Sequence, residues 1–195
     1  MRGSAAGLTL GISIALAIGG SPFPSQAESP QVYFSPRGGC TEAVVHEIES
    51  ANSTVYVQAY SFTSAPIAKA LVDAQERGVH VEAILDKSNR KAHYSAADYL
   101  VHHGVPTRID AAHAIAHNKV MVIDEKVVIT GSFNFTAAAE EHNAENLLIL
   151  RDPMLAARYL QNWKLHALHS ALYRSDVSAG EVRAPTVDFT NAGRQ

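Results

Sequence analysis

Residues 116–136, AHNKVMVIDEKVVITGSFNFT, decide how this chain folds. Two β-branched runs, KVMVID and KVVITG, flank a tight turn near Glu125 and read as a hairpin. Polar side chains sit two apart at both of its ends: His117 and Lys119 at the entrance, Ser132 and Asn134 just past the exit. Residues two apart on a strand share a face and lie ~7 Å apart along it. Folding 117–124 back against 126–134 therefore gathers all four at the open end. An imidazole, a cation and two neutral hydrogen-bonding groups converge there, a set suited to a tetrahedral anion such as phosphate. Gly131 allows a bulky group to approach the backbone closely. Asp124 lies an odd five positions past Lys119, on the opposite face or in the turn, and reads as structural.

Upstream, strands alternate with helices. QVYFSP (31–36) is a short strand ended by Pro36, and CTEAVVHEIESA has helical apolar spacing. STVYVQAYSF (53–62) puts Val55, Val57 and Ala59 on one face, and Tyr56, Gln58 and Tyr60 on the other. A helix runs from Ser64 to Gly78, a strand covers 79–86, a helix runs from Ser88 to about Gly104, and 105–110 is extended. Downstream, ENLLIL (145–150) is a strand, and Pro153 begins an amphipathic helix to about Arg174. This rhythm predicts an α/β fold: one domain over 28–175, with a mixed, mostly parallel β-sheet flanked by helices on both faces. Residues 176–195 read as a C-terminal tail.

The chain has 195 residues and is 47% hydrophobic, enough for a real core. Residues 1–27 have the layout of a secretory signal peptide: one basic residue, an apolar run, and Ser25 and Ala27 at the cleavage positions. Cleavage there predicts a periplasmic or secreted protein. It removes only Arg2, leaving 15 basic against 19 acidic residues and a net charge of −4. A polyanion-gripping protein usually carries a basic excess, so phosphate binding has to come from a local patch; Arg37, Lys87, Arg90 and Lys91 are the candidates. Cys40 is the sole cysteine, so it is either buried and inert or paired between two chains.

The spacing His117-x-Lys119-x4-Asp124-x6-Gly131-Ser132-x-Asn134 resembles, at every fixed position, the HKD signature of the phospholipase D superfamily. QAYSF (58–62), GSFNFT and AENLLIL are similar to its small, secreted, nonspecific endonuclease branch, and the match extends from about Val32 to Arg174. The resemblance implies a phospholipase D/nuclease-like fold and a phosphodiesterase that needs no cofactor. It implies that His117 attacks phosphorus, that Lys119 and Asn134 hold the nonbridging oxygens with Ser132 in support, and that Glu145 accepts a hydrogen bond from the imidazole. Gln58 and Tyr60 are candidate site walls.

The family builds its active site from two such motifs, and this chain has one. The resemblance therefore implies a homodimer with one site across its two-fold axis. The expected substrate is DNA, with RNA beside it, cleaved with little sequence preference. The alternative is a lipid phosphodiesterase acting on phosphatidylcholine or cardiolipin. Against lipid, the sequence shows no exposed apolar helix, and no stable membrane association is expected after signal cleavage. No metal is expected either. His113 and His117 have the i, i+4 spacing of helical ligands, but the β-branched run after His117 argues for a strand. His166 and His169 read as solvent-facing residues of a helix.

Overall fold

The computed structural model describes residues 29–90 and 95–175. The signal-peptide segment, Lys91 and the tail at 176–195 lie outside them. The elements run β1 (Gln31–Ser35), α1 (Cys40–Glu49), β2 (Thr54–Ala59), α2 (Ala65–Glu76), β3 (His80–Asp86), α3 (Ala96–His102), β4 (Thr107–Asp110), β5 (Lys119–Ile123), β6 (Val127–Gly131), α4 (Ala137–Glu141), β7 (Glu145–Arg151), α5 (Pro153–His169) and β8 (Ala171–Leu172). All eight strands join one sheet in the order β1-β7-β6-β5-β2-β3-β4-β8.

Period-two alternation sorts side chains to two apolar layers. Val55, Val57, Met121, Ile129 and Leu147 face one side, packed with Val44, Ile48, Ile67, Leu71 and Leu100 from α1, α2 and α3. Val120, Val122 and Val128 face the other side, under Ala156 and Leu160 of α5. Helices thus cover both faces, as expected. Burying each such side chain contributes about 1.5–3 kcal/mol.

The sheet is mixed but not mostly parallel, which corrects the sequence expectation. Only β2–β3 and β3–β4 pair in parallel; the other five pairings are antiparallel. The βαβ rhythm ends at β4, and everything after it enters the sheet by hairpin or reversal.

Two helices differ from expectation and a third is additional. The segment after Ser88 is not one helix. Lys87–Arg90 form a 3-10 turn, and α3 starts only at Ala96, where Ser95 Oγ accepts from the Ala97 N–H at 3.2 Å. Buried Asn89 explains the break: its amide donates to the Tyr60 and Asp86 carbonyls at 2.6 and 3.1 Å, bonds that compete with helix formation. Helix α5 stops at His169, because Ser170 turns extended and its hydroxyl donates to the His166 carbonyl at 2.7 Å. The short helix α4 was not foreseen; Thr136 Oγ1 caps it by accepting from the Ala139 N–H at 3.1 Å.

Helix α5 keeps part of its apolar surface outside the core. It buries Ala156, Leu160 and Trp163 but leaves Met154, Leu165 and Leu168 in the open, Leu168 at 85% exposure. No helix among the described residues is long and apolar enough to cross a membrane. Cys40 is fully buried at the start of α1, and burial pushes its thiol up to about 11.

Candidate active site

The sheet register brings the motif to one edge of the molecule. Lys119 opens β5 opposite Ala59, the last residue of β2. Gly131 ends β6 opposite Leu147, and Glu145 opens β7 opposite Ser35, the last residue of β1. Lys119, Gly131 and Glu145 therefore share the sheet end where the parallel strands β2, β3 and β4 finish, a common place for binding sites in α/β folds.

Lys119 is only 7% exposed. Its ammonium donates to the His117 carbonyl at 3.0 Å and lies 5.0 Å from the centre of the Tyr60 ring. Burial holds it below the usual lysine range, opposed by the nearby Glu145 carboxylate. His117 is exposed, and its imidazole stacks at a tilt on Tyr60 with centroids 4.5 Å apart. Tyr60 thus lies against both residues. Gln58 sits deeper: it is buried in β2 between Ile84 and Val120, and its Nε2 has no hydrogen-bond partner.

Alternation also organises the exit of the hairpin. Phe133 and Phe135 are fully buried anchors, and between and before them Asn134 and Ser132 are carried on a fixed loop. Ser132 Oγ accepts from the backbone and side-chain N–H groups of Asn146, at 3.0 and 3.3 Å. Asn134 Oδ1 is buried with no donor. Gly131 has φ +144°, and a Cβ there would collide with the Asn146 carbonyl oxygen. The bulky group that approaches this glycine is therefore β7 itself.

Asp124 lies in the turn, away from this end. Asp124 and Glu125 both have positive φ, and Lys126 N–H donates to the Ile123 carbonyl at 3.0 Å, making a type I′ turn. The Asp124 carboxylate accepts from the Asn52, Ser53 and Thr54 N–H groups at 2.9, 2.8 and 2.9 Å. Burial raises its pKa, but these bonds win and hold it down to about 2.

Glu145 does not reach His117 within the described residues. Its backbone N–H donates to Ser35 Oγ at 3.2 Å, and its carboxylate accepts from the Asn143 amide at 3.2 Å. Of the expected basic patch, Lys91 lies outside the described residues, and Lys87 and Arg90 share one 3-10 turn. Arg37 pairs with Glu141 at 3.1 Å, and Lys87 donates to the His113 carbonyl at 2.8 Å. Two grooves, of about 540 and 480 Å³, share Gly39, Glu42 and His46, Arg37 lining the first alone, and neither includes a motif residue.

Sequence reasoning missed the groups that hold this end together. Asp86, closing β3, accepts from the Ala116 N–H at 2.7 Å, directly before His117. Asn89 ties down the Tyr60 carbonyl. The detectable signal was an Asp at the end of both parallel strands, in ILD and RID. One reading of the histidines is corrected. His113 partners not His117 but His166 and His169, around buried Asp110, and His166 is only 17% exposed at its side chain rather than solvent-facing.

The chain resembles known proteins over most of its length. The family model described as cardiolipin synthase, PLD-like domain, matches residues 44–166. "Phospholipase D" of Rickettsia conorii is 49% identical over 130 residues, 67% of this chain and 65% of that relative, so the match leaves about a third of that relative uncovered. "Mitochondrial cardiolipin hydrolase" of Xenopus laevis is 31% identical, across 73% of this chain and 72% of its own length. The crystal structure of Nuc, a phospholipase D family member from Salmonella typhimurium, superposes with a TM-score of 0.72 at 41% identity, covering 75% of this chain and 99% of Nuc.

Proposed function

This chain belongs to the phospholipase D-like family, and from that premise we propose that it is a metal-independent phosphodiesterase and endonuclease. It hydrolyses DNA, and RNA beside it, with little sequence preference. The observation that carries this reading is the meeting of His117, buried Lys119 and the Gly131–Asn134 loop at one end of the sheet. A cation denied water offers a strong field to a phosphodiester.

In this mechanism His117 attacks phosphorus, forming the N–P bond as the bond to the leaving oxygen breaks. The partner subunit's His117 gives that oxygen its proton. Water then attacks the phosphohistidine, loses a proton to the partner subunit's His117, and the N–P bond breaks. Lys119 and Asn134 hold the nonbridging oxygens, and Ser132 fixes the loop through Asn146. Glu145 orients the His117 ring after releasing Asn143. Splitting the displacement into two in-line steps lowers each barrier.

Likeness in fold and sequence to Nuc supports the nucleic-acid reading. A lipid phosphodiesterase is the second reading, favoured by the name of the Rickettsia relative and by exposed Leu165 and Leu168 on α5. The test incubates the purified protein, in EDTA, with plasmid DNA, RNA and phosphatidylcholine in parallel. Nicking without choline release is the expected result. Choline release alone selects the lipid reading, and loss of nicking in EDTA rejects metal independence.

A further inference from the structure

We infer that Asp110, His113, His166 and His169 form a binding site for one divalent transition-metal ion of the zinc class, built from a donor set separate from the His117 cluster. Asp110 ends β4 fully buried. His113 lies in the following loop, and His166 and His169 are one turn apart near the end of α5. Two segments distant in sequence, the end of β4 with its following loop and the end of α5, therefore deliver one carboxylate and three imidazoles to a single point. Their ligand atoms all lie within 4.8 Å of one another.

The geometry around one oxygen makes the case. Asp110 Oδ1 is held by the Ala112 N–H at 3.0 Å. His113 Nδ1 lies 3.1 Å from that oxygen and 3.0 Å from Oδ2, which also faces His166 Nδ1 at 2.8 Å and His169 Nε2 at 3.3 Å. The three rings form a nearly equilateral set, with centroids 4.9, 5.2 and 5.2 Å apart. Three ring nitrogens thus converge on one buried carboxylate. A cation between them would have four donors around one charge.

Zinc binds imidazole nitrogen and carboxylate oxygen at about 2.0–2.2 Å in tetrahedral geometry. That asks each ring to turn slightly toward the centre, with its lone pair inward and its remaining N–H outward to water. Three nitrogens and one oxygen fill the tetrahedron and suit zinc, cobalt, nickel or copper better than calcium or magnesium. Exposed His113 and His169 leave an entry path. The ion fastens the loop that begins at Asp110 and runs to His117. That loop is otherwise held by Lys87 on the His113 carbonyl and Asp86 on the Ala116 N–H.

The test uses the full purified chain stripped with EDTA, and it does not read phosphodiester cleavage, so its failure leaves the proposed function untouched. Calorimetric titration with Zn²⁺ is expected to give one ion per chain. Co²⁺ is expected to give the intense visible bands of a tetrahedral site. A hundredfold excess of Zn²⁺ over its Kd raises Tm by about 5–10 °C. His166→Asn and His169→Gln each weaken Zn²⁺ binding at least about tenfold. His169 is the more exposed of the two, so a folded His169→Gln chain that binds with undiminished affinity overturns the proposal. No saturable binding by the wild-type chain also overturns it.

Discussion

Lys119 is the residue where burial and charge conflict most directly at this site. Its ammonium is almost wholly enclosed, faces a carbonyl and an aromatic ring, and has only the field of Glu145 to offset lost water. Such a group is stabilised when a phosphate arrives, which is why its replacement affects turnover more than folding. Lys119→Ala is expected to lower kcat/KM about 10²–10⁴-fold, while the unfolding midpoint in urea stays within about 1 kcal/mol of wild type. A large loss of stability with a small loss of activity would assign Lys119 to the scaffold. Asp124 makes the opposite prediction. Its folded carboxyl titrates near pH 2, below its value of about 4 in an unfolded chain. Its contribution is therefore complete above pH 4 and is lost as pH falls through 2. Asp124→Ala is expected to destabilise the protein by about 2 kcal/mol at pH 7, with activity per folded molecule retained. The penalty should shrink when the denaturation is repeated at pH 3.

At the scale of elements, the hairpin β5–β6 and its return through β7 carry the site. At Gly131 the backbone of β7 comes close against β6. A side chain at φ +144° is strained, and its Cβ collides with the Asn146 carbonyl, whose N–H and amide also hold Ser132. Gly131→Ala is expected to cost about 2–3 kcal/mol in urea denaturation. It should also reduce cleavage in the fraction that still folds, because β7 cannot part from β6 without moving the loop to Asn134. Unchanged stability would mean the β6–β7 contact yields easily. The hairpin was legible because β-branched runs, a turn and polar residues at even spacing are all local signals. The antiparallel character of the sheet was not, since strand partnering depends on the whole chain's return path. Nor was the break between Lys87 and α3: Asn89 reads as an ordinary helical residue until Tyr60 and Asp86 are beside it. The Asp110 cluster stayed hidden for the same reason, with His166 56 positions after Asp110.

At the scale of the whole molecule, one chain carries a single motif imidazole, His117, while two-step phosphoryl transfer needs an attacking base and a separate acid. The second copy supplies it if the assembly is two-fold and isologous, so that each His117 meets the other across the axis. Two like groups at close range cannot hold the same protonation state during turnover, so their titrations are coupled. The rate should therefore follow a bell in pH, rising as one imidazole loses its proton and falling as the other does. A mixed dimer tests the sharing itself. Wild-type and His117→Asn chains bearing different tags are refolded together, and the heterodimer is purified through both tags. With one composite site, the heterodimer lacks either its nucleophile or its acid, and plasmid nicking falls at least about 10³-fold. If each chain instead carries its own complete site, the heterodimer nicks at half the wild-type rate. That outcome would remove the partner from the mechanism, and the leaving oxygen would need a proton donor within the chain.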